Sequence, residues 1–231
     1  MHFFILVLLF CFSIFLFFLH FICRDDFILL RKDISLESVF NLAFITSAVA
    51  LFTARLFYVF YHPSANFLNP LFFFLFPYFP GLSLSGGILG GGVFLFFFSR
   101  VKKMPSGRLF DFFSSAFLSS LPIGLLGYYL LSKANLISSG VLSSLFSYFM
   151  LFLIFSFYLL PKQLKGRFSD GTLGFIFLLS FSLISIINLL FSKSFYIGIE
   201  TLVFFLILIF SSYFLVKKEK IIDRAMKRFR K

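Results

Sequence analysis

Few side chains in this chain can carry chemistry, and they are conspicuous because they sit in grease. Arg55, in "VALFTARLFYVFYHP", and Glu200, in "FYIGIETLVFF", are charged groups set inside long apolar runs. A charge near the middle of a membrane span costs at least about 2.5 to 3.5 kcal/mol on insertion scales, so it normally faces a partner or a wet cavity. The Arg55 guanidinium can hold a phosphate or carboxylate in a planar fork, or it can run outward past Tyr58, Tyr61 and His62 to the interface. Glu200 can pair with Arg55 or flank the same cavity. Spacing alone leaves both alternatives open.

A second candidate is "LSLSGGILGGGVF", residues 82 to 94, with Ser85 followed by Gly86, Gly87, Gly90, Gly91 and Gly92. Glycines four apart, 86 with 90 and 87 with 91, predict two helices in close contact. The same stretch also fits a broken helix start whose N–H groups, unobstructed by a Cβ, receive a phosphate or carboxylate. The run before it, "LFFFLFPYF" at 71 to 79, is bounded by Pro70, Pro77 and Pro80. It is too short to span and is expected to be a re-entrant or interfacial piece.

Other polar residues read as structural. Asp111 is expected to open its helix, where an anion meets the positive end of the helix dipole. Ser114, Ser115, Ser119 and Ser120, and the stripe of Ser180, Ser182, Ser185 and Asn188, suit helix contacts. Cys11, Cys23, His20 and His62 lack ligand spacing, so no metal and no cofactor is expected.

The elements that must position these residues follow from composition. The chain is 60% hydrophobic and 13% charged, with 44 Phe and a mean hydropathy of +1.03, well beyond soluble domains at about 45 to 50% apolar. It reads as an all-α integral membrane protein. About twenty apolar residues cross the hydrocarbon as a helix, and seven segments qualify: 3 to 23, 39 to 61, 82 to 99, 110 to 132, 136 to 160, 172 to 192 and 194 to 216. The first lacks the basic flank and small-residue cleavage site of a removable signal and is expected to stay as a helix. Residues 1 to 216 then form one polytopic domain and 217 to 231 a basic tail.

Charge sorts the loops. Of the 21 Lys and Arg, eighteen fall in 24 to 38, 100 to 109, 161 to 171 and the tail, against Lys133 and Lys193 on the other side. The positive-inside rule then puts the N-terminus outside and the C-terminus in the cytoplasm. The net charge of +12 needs no nucleic acid; the tail "VKKEKIIDRAMKRFRK" suits anionic lipid headgroups.

Taken in order, "RDDFILLRKDISLESVFNLAFITSAVALFTARLFYVFYHP", "FLNPLFFF", "GLSLSGGILGGGVFLFFFSRVKK" and "LFDFFSSAFLSSLPIGLLG" resemble the bacterial prolipoprotein diacylglyceryl transferases. The resemblance covers roughly residues 24 to 127. It implies a seven-helix enzyme of the bacterial plasma membrane that moves the diacylglyceryl group of phosphatidylglycerol onto the thiol of a lipobox cysteine, releasing glycerol phosphate. The implied partners are phospholipid and prolipoprotein signal peptides. Arg55, Leu56, Tyr58 and Val59 match the family's Arg-Leu-x-Tyr-Val motif, Asn69 and Pro70 its short turn, and Gly86, Gly87 and Gly90 its glycine element. Asp111, Pro122 and Gly124 match its following helix.

The chain departs from the family pattern at specific positions. Ser85 stands where the family has a histidine, and serine is no base at neutral pH unassisted. Tyr129 falls where an arginine should be, and Ser185 and Leu189 replace an arginine and a glutamate. Two readings follow: a divergent transferase binding lipid through Arg55, Tyr58, Ser85, Gly86, Gly87, Gly90 and Glu200, or a catalytically inactive relative that binds phospholipid or a partner through the same cavity. A small transporter fits less well, because no second broken helix repeats the first.

Overall fold

The computed structural model of the protein describes residues 2–24, 26–63, 73, 81–131, 139–190 and 198–219. Within them the fold is wholly helical. The order is α1 (His2–Cys23), α2 (Phe27–Arg31), α3 (Leu36–Tyr61), α4 (Leu84–Val101), α5 (Ser106–Leu131), α6 (Ser139–Ile154), a π-helical turn (Phe155–Leu159), α7 (Leu160–Leu164), α8 (Thr172–Leu190) and α9 (Ile199–Glu219). Among the described residues, seven helical spans are long and apolar enough to cross a bilayer, with α6, the π turn and α7 counting as one.

The protein is therefore a seven-span helical membrane protein. Its outward faces carry Phe17, Phe97, Phe157 and Leu206, all exposed, where lipid replaces the water that would penalise them. The most enclosed span is α5, which packs on α1, α4, α6 and α8. Its Leu109, Phe112, Ala116 and Leu118 are fully buried.

Boundaries follow local chemistry. Ser35 caps α3 by accepting from the Ser38 amide at 3.2 Å, and Ser83 caps α4 by accepting from Gly86 at 3.3 Å. Such caps satisfy amides that have no partner within the helix. At the opposite end of α4, Lys103 turns left-handed (φ 56°), and Met104 N–H returns to the Ser99 carbonyl at 2.8 Å. Gly166 does the same after α7 (φ 69°), with Arg167 N–H reaching Lys162 O at 3.0 Å. These closures end helices within a few residues and keep the connections short.

Several expected boundaries shift by a few residues. The fifth span, expected over 136 to 160, continues through Pro161 to Leu164. The wider π turn just before it accommodates a residue without an N–H. Span four was expected from 110, but α5 starts at Ser106. Arg108 and Asp111 thus lie on a helix rather than at its mouth.

The ends of α1, α4, α7 and α9 and the starts of α3, α5 and α8 meet at one end of the molecule. Arg108 on α5 binds Asp26, Gln163 O and Asp170, and the Lys218 amine of α9 lies against Gly171. This is the basic end. The proline-bounded piece at 71 to 79, apart from Phe73, lies outside the described residues, as do Asn69, Pro70, Lys133, Lys193 and the tail beyond Glu219.

Candidate functional site

The glycine face of α4 is packed against α3. A Cβ at Gly86 would strike Phe57 and the Thr53 carbonyl, and one at Gly90 would run into the Thr53 side chain. Gly87 and Gly91 face Ala54 and Ala50, where an added Cβ would sit 3.4 and 3.1 Å from the alanine methyls. Two helix backbones approach this closely only where both present small residues. The matching small face of α3, Ala50, Thr53 and Ala54, escaped the sequence reading, though its spacing in "AVALFTA" signals it.

The start of α4 is a hydroxyl cluster rather than a bare cradle. Ser83 donates its amide to Ala54 O at 3.0 Å and accepts from Gly86 N through its side chain at 3.3 Å. Gly87 N–H goes to Ser83 O at 3.1 Å. The amides of Gly86 and Gly87 are thus engaged within their own helix start, which leaves them unavailable as an anion nest in this conformation. Ser85, fully buried, lies 2.8 Å from the Ser83 hydroxyl and 3.4 Å from the Tyr61 phenol.

Arg55 neither runs to the surface nor stands open to the lipid side. Its relative exposure is 2%. Nη1 donates to Gly81 O at 2.8 Å and Nε to Phe73 O at 3.3 Å. Two backbone carbonyls, one within the proline-bounded piece and one just after it, are thereby tied to α3, and the guanidinium carbon lies 5.7 Å from the Tyr58 ring centre. That ring fills the space a Cβ on Gly81 would need, and it stacks on His62 at 4.8 Å.

Arg55, Tyr58, Ser85 and Gly86 thus gather at the end of the molecule opposite the basic one, with Tyr61, His62 and Ser83 joining them. Glu200, in the first turn of α9, is within electrostatic reach of His62 and Tyr61. Gly87 and Gly90 lie deeper along the seam.

Beside this cluster lies a cavity of about 690 Å³ among α1, α3, α4, α5 and α8. Its walls include Phe12, Phe44, Gly87, Gly91, Phe113 and Leu125, and Leu82, Ser83 and Leu84 border it where the hydroxyl cluster begins. The volume suits a drug-sized or lipid-chain ligand. Missing side chains on Gly87, Gly91 and Gly92 widen it, so the glycines serve the seam and the cavity together.

The sequence profile of the prolipoprotein diacylglyceryl transferases matches residues 1–224. The chain belongs to that family. It is also 30% identical over 100 residues to the phosphatidylglycerol–prolipoprotein diacylglyceryl transferase of Fusobacterium nucleatum subsp. nucleatum, a stretch covering 43% of this chain and 34% of that protein. The matched stretch thus spans about a third of that relative's length. Membership in the transferase family accords with the seven spans and the lipid-sized cavity. Ser85 lies inside the hydroxyl cluster rather than on the lipid surface.

A second polar site escaped the sequence reading. At the basic end, Asp111 is fully buried and accepts from Gln163 Nε2 at 2.8 Å, Gly171 N at 2.6 Å and Gly174 N at 2.9 Å. The expectation that it serves its own helix is corrected: five residues into α5, it caps the start of α8 instead. Arg108, counted as a loop cation, is 4% exposed and ion-paired to Asp26. No local window shows either partner.

Proposed function

We propose that the protein transfers the diacylglyceryl group of phosphatidylglycerol to the cysteine thiol of a prolipoprotein, in the bacterial plasma membrane with its N-terminus outside and the basic end in the cytoplasm. The observation that carries this reading is the apolar cavity that reaches Ser83, whose hydroxyl lies 2.8 Å from that of Ser85 in the cluster shared with Tyr61. A phospholipid needs that combination, with room for acyl chains and polar donors where its headgroup begins. Family membership over residues 1–224 supplies the reaction class, and the eighteen basic residues of the inner loops and tail support the orientation.

In the reaction the cysteine thiol gives up its proton and its sulfur forms a bond to the terminal glyceryl carbon. The carbon–oxygen bond to phosphate breaks, and glycerol phosphate leaves with the electron pair. Charge therefore develops on the phosphate, where preorganised donors lower the barrier most. Arg55 supplies the positive charge and ties Phe73 O and Gly81 O to α3, with Tyr58 against it. Gly87 lines the cavity wall, Gly86 and Gly90 let α4 approach α3 closely, and Ser85 bonds to Ser83 where the cavity meets the hydroxyl cluster. Among the described residues at this end, His62 and Glu200 are the groups able to take up the thiol proton.

The test is complementation of a strain depleted of its own transferase, with lipoprotein modification followed by gel shift. Rescue by the native chain is expected. Gly92→Leu, whose side chain would grow into the cavity past a Phe110 contact at 3.7 Å, should abolish it while the protein stays folded. A well-expressed native chain that fails to rescue would sink the transferase reading in favour of the inactive relative.

A further inference from the structure

The basic end repeats one device. On α4 the Arg100 guanidinium stands 4.2 Å from the Phe96 ring centre, and the Lys102 amine 5.8 Å from that of Phe98. At the end of the fifth span the Lys162 amine is 3.3 Å from the Tyr158 ring centre, and on α9 that of Lys217 is 5.9 Å from Tyr213. In each pair the cation follows its aromatic by four residues, so one helical turn places the charge over the ring. Every helix involved runs toward the basic end and finishes there.

These cations lie over rings instead of being drawn into carboxylates. Asp26 and Asp170 at this end pair with Arg108. A cation on an aromatic face keeps most of its N–H donors directed outward while its position is fixed. Large apolar side chains surround the same end: Phe27 is 81% exposed, Phe157 80% and Val101 77%. In α2, Phe27 and Leu30 are exposed next to Arg31 and Lys32. A nucleic acid or an acidic soluble protein would leave those apolar groups in water, whereas a lipid interface takes both the rings and the charges.

We propose that Phe96–Arg100, Phe98–Lys102, Tyr158–Lys162 and Tyr213–Lys217 form a collar that binds the phosphodiester headgroups of anionic phospholipids in the leaflet around the basic end, away from the cavity. The rings fix the depth of each cation at the hydrocarbon boundary, and the cations select anionic over zwitterionic headgroups. The collar does not depend on the transfer reaction, and it would hold in an inactive relative as well.

The full chain in vesicles of phosphatidylcholine with spin-labelled phosphatidylglycerol or spin-labelled phosphatidylcholine gives a direct test by electron paramagnetic resonance. The lipid fraction immobilised at the protein should favour phosphatidylglycerol by about threefold or more at low salt, and added salt should erode the preference. The quadruple variant Arg100→Gln, Lys102→Gln, Lys162→Gln, Lys217→Gln should lose most of it. A second variant, Phe96→Leu, Phe98→Leu, Tyr158→Leu, Tyr213→Leu, keeps every charge and should lose a substantial part. An unchanged preference in that second variant would mean diffuse charge attraction and overturn the collar, as would equal immobilisation of the two lipids by the native chain. Displacement of the labelled lipid by millimolar glycerol phosphate would equally overturn a membrane headgroup as the occupant.

Discussion

Arg108 and Asp26, 82 positions apart, lock the basic end together: Nε and Nη2 of the guanidinium both reach Asp26 Oδ2, at 3.1 and 2.7 Å. The other carboxylate oxygen accepts from Ile28 N and Leu29 N at 3.1 and 3.0 Å, so one aspartate caps α2 and anchors α5. Arg108 Nη1 extends the link to Gln163 O at 3.3 Å and Asp170 at 3.4 Å. Three stretches distant in sequence therefore close on one buried cation.

Removing one member of this pair leaves the other charge buried and alone. Arg108→Ala or Asp26→Ala should each lower unfolding free energy by about 3 to 5 kcal/mol, measured by denaturation in mixed micelles. The double variant should be distinctly less damaged than the sum of the singles, because the second removal takes away a charge already stranded. Additive losses would show that the two side chains stabilise the fold separately.

The α3–α4 seam predicts opposite outcomes for neighbouring glycines. Gly90→Ala drives a methyl into the Thr53 side chain and should cost about 1 to 3 kcal/mol. Gly92→Ala meets only Phe110, at 3.7 Å, and should be neutral or stabilise by up to about 1 kcal/mol through helix propensity. Thr53→Ala combined with Gly90→Ala should recover part of the loss. Equal stability of the two single variants in a thermal scan would rule out the close seam.

Much of this was legible in sequence because membrane rules are local. Span length, loop charge and glycine spacing each act within one helix, and they locate α1 to within two residues and the glycine contact at 86, 87, 90 and 91. Arg55 was legible as a residue that must have partners, since its cost in lipid is set by its own position. What it bonds to was not, because Gly81 O and Phe73 O are backbone atoms 26 and 18 residues on. Arg108 and Asp111 misled for the same reason: one looked like a loop cation and the other like the opening charge of its own helix, and their partners come from distant parts of the chain. Long-range pairing at the basic end leaves no periodic trace.

Asp111 provides the sharpest test of that hidden network. Its two oxygens take three donors, two of them the amides of Gly171 and Gly174 at the start of α8. Asp111→Asn must present an amide group to at least one of those donors, stranding a buried N–H at a cost of about 1 to 3 kcal/mol. Gln163→Leu removes one donor and leaves both backbone amides satisfied; the Gln163 Oε1 atom is itself buried without a partner, so its loss strands nothing further. Asp111→Asn should therefore be the more destabilised of the two, and hydrogen exchange at the Gly171 and Gly174 amides should speed up in that variant alone. Equal exchange in both variants would mean that the start of α8 is held by its own turn and not by the carboxylate of α5.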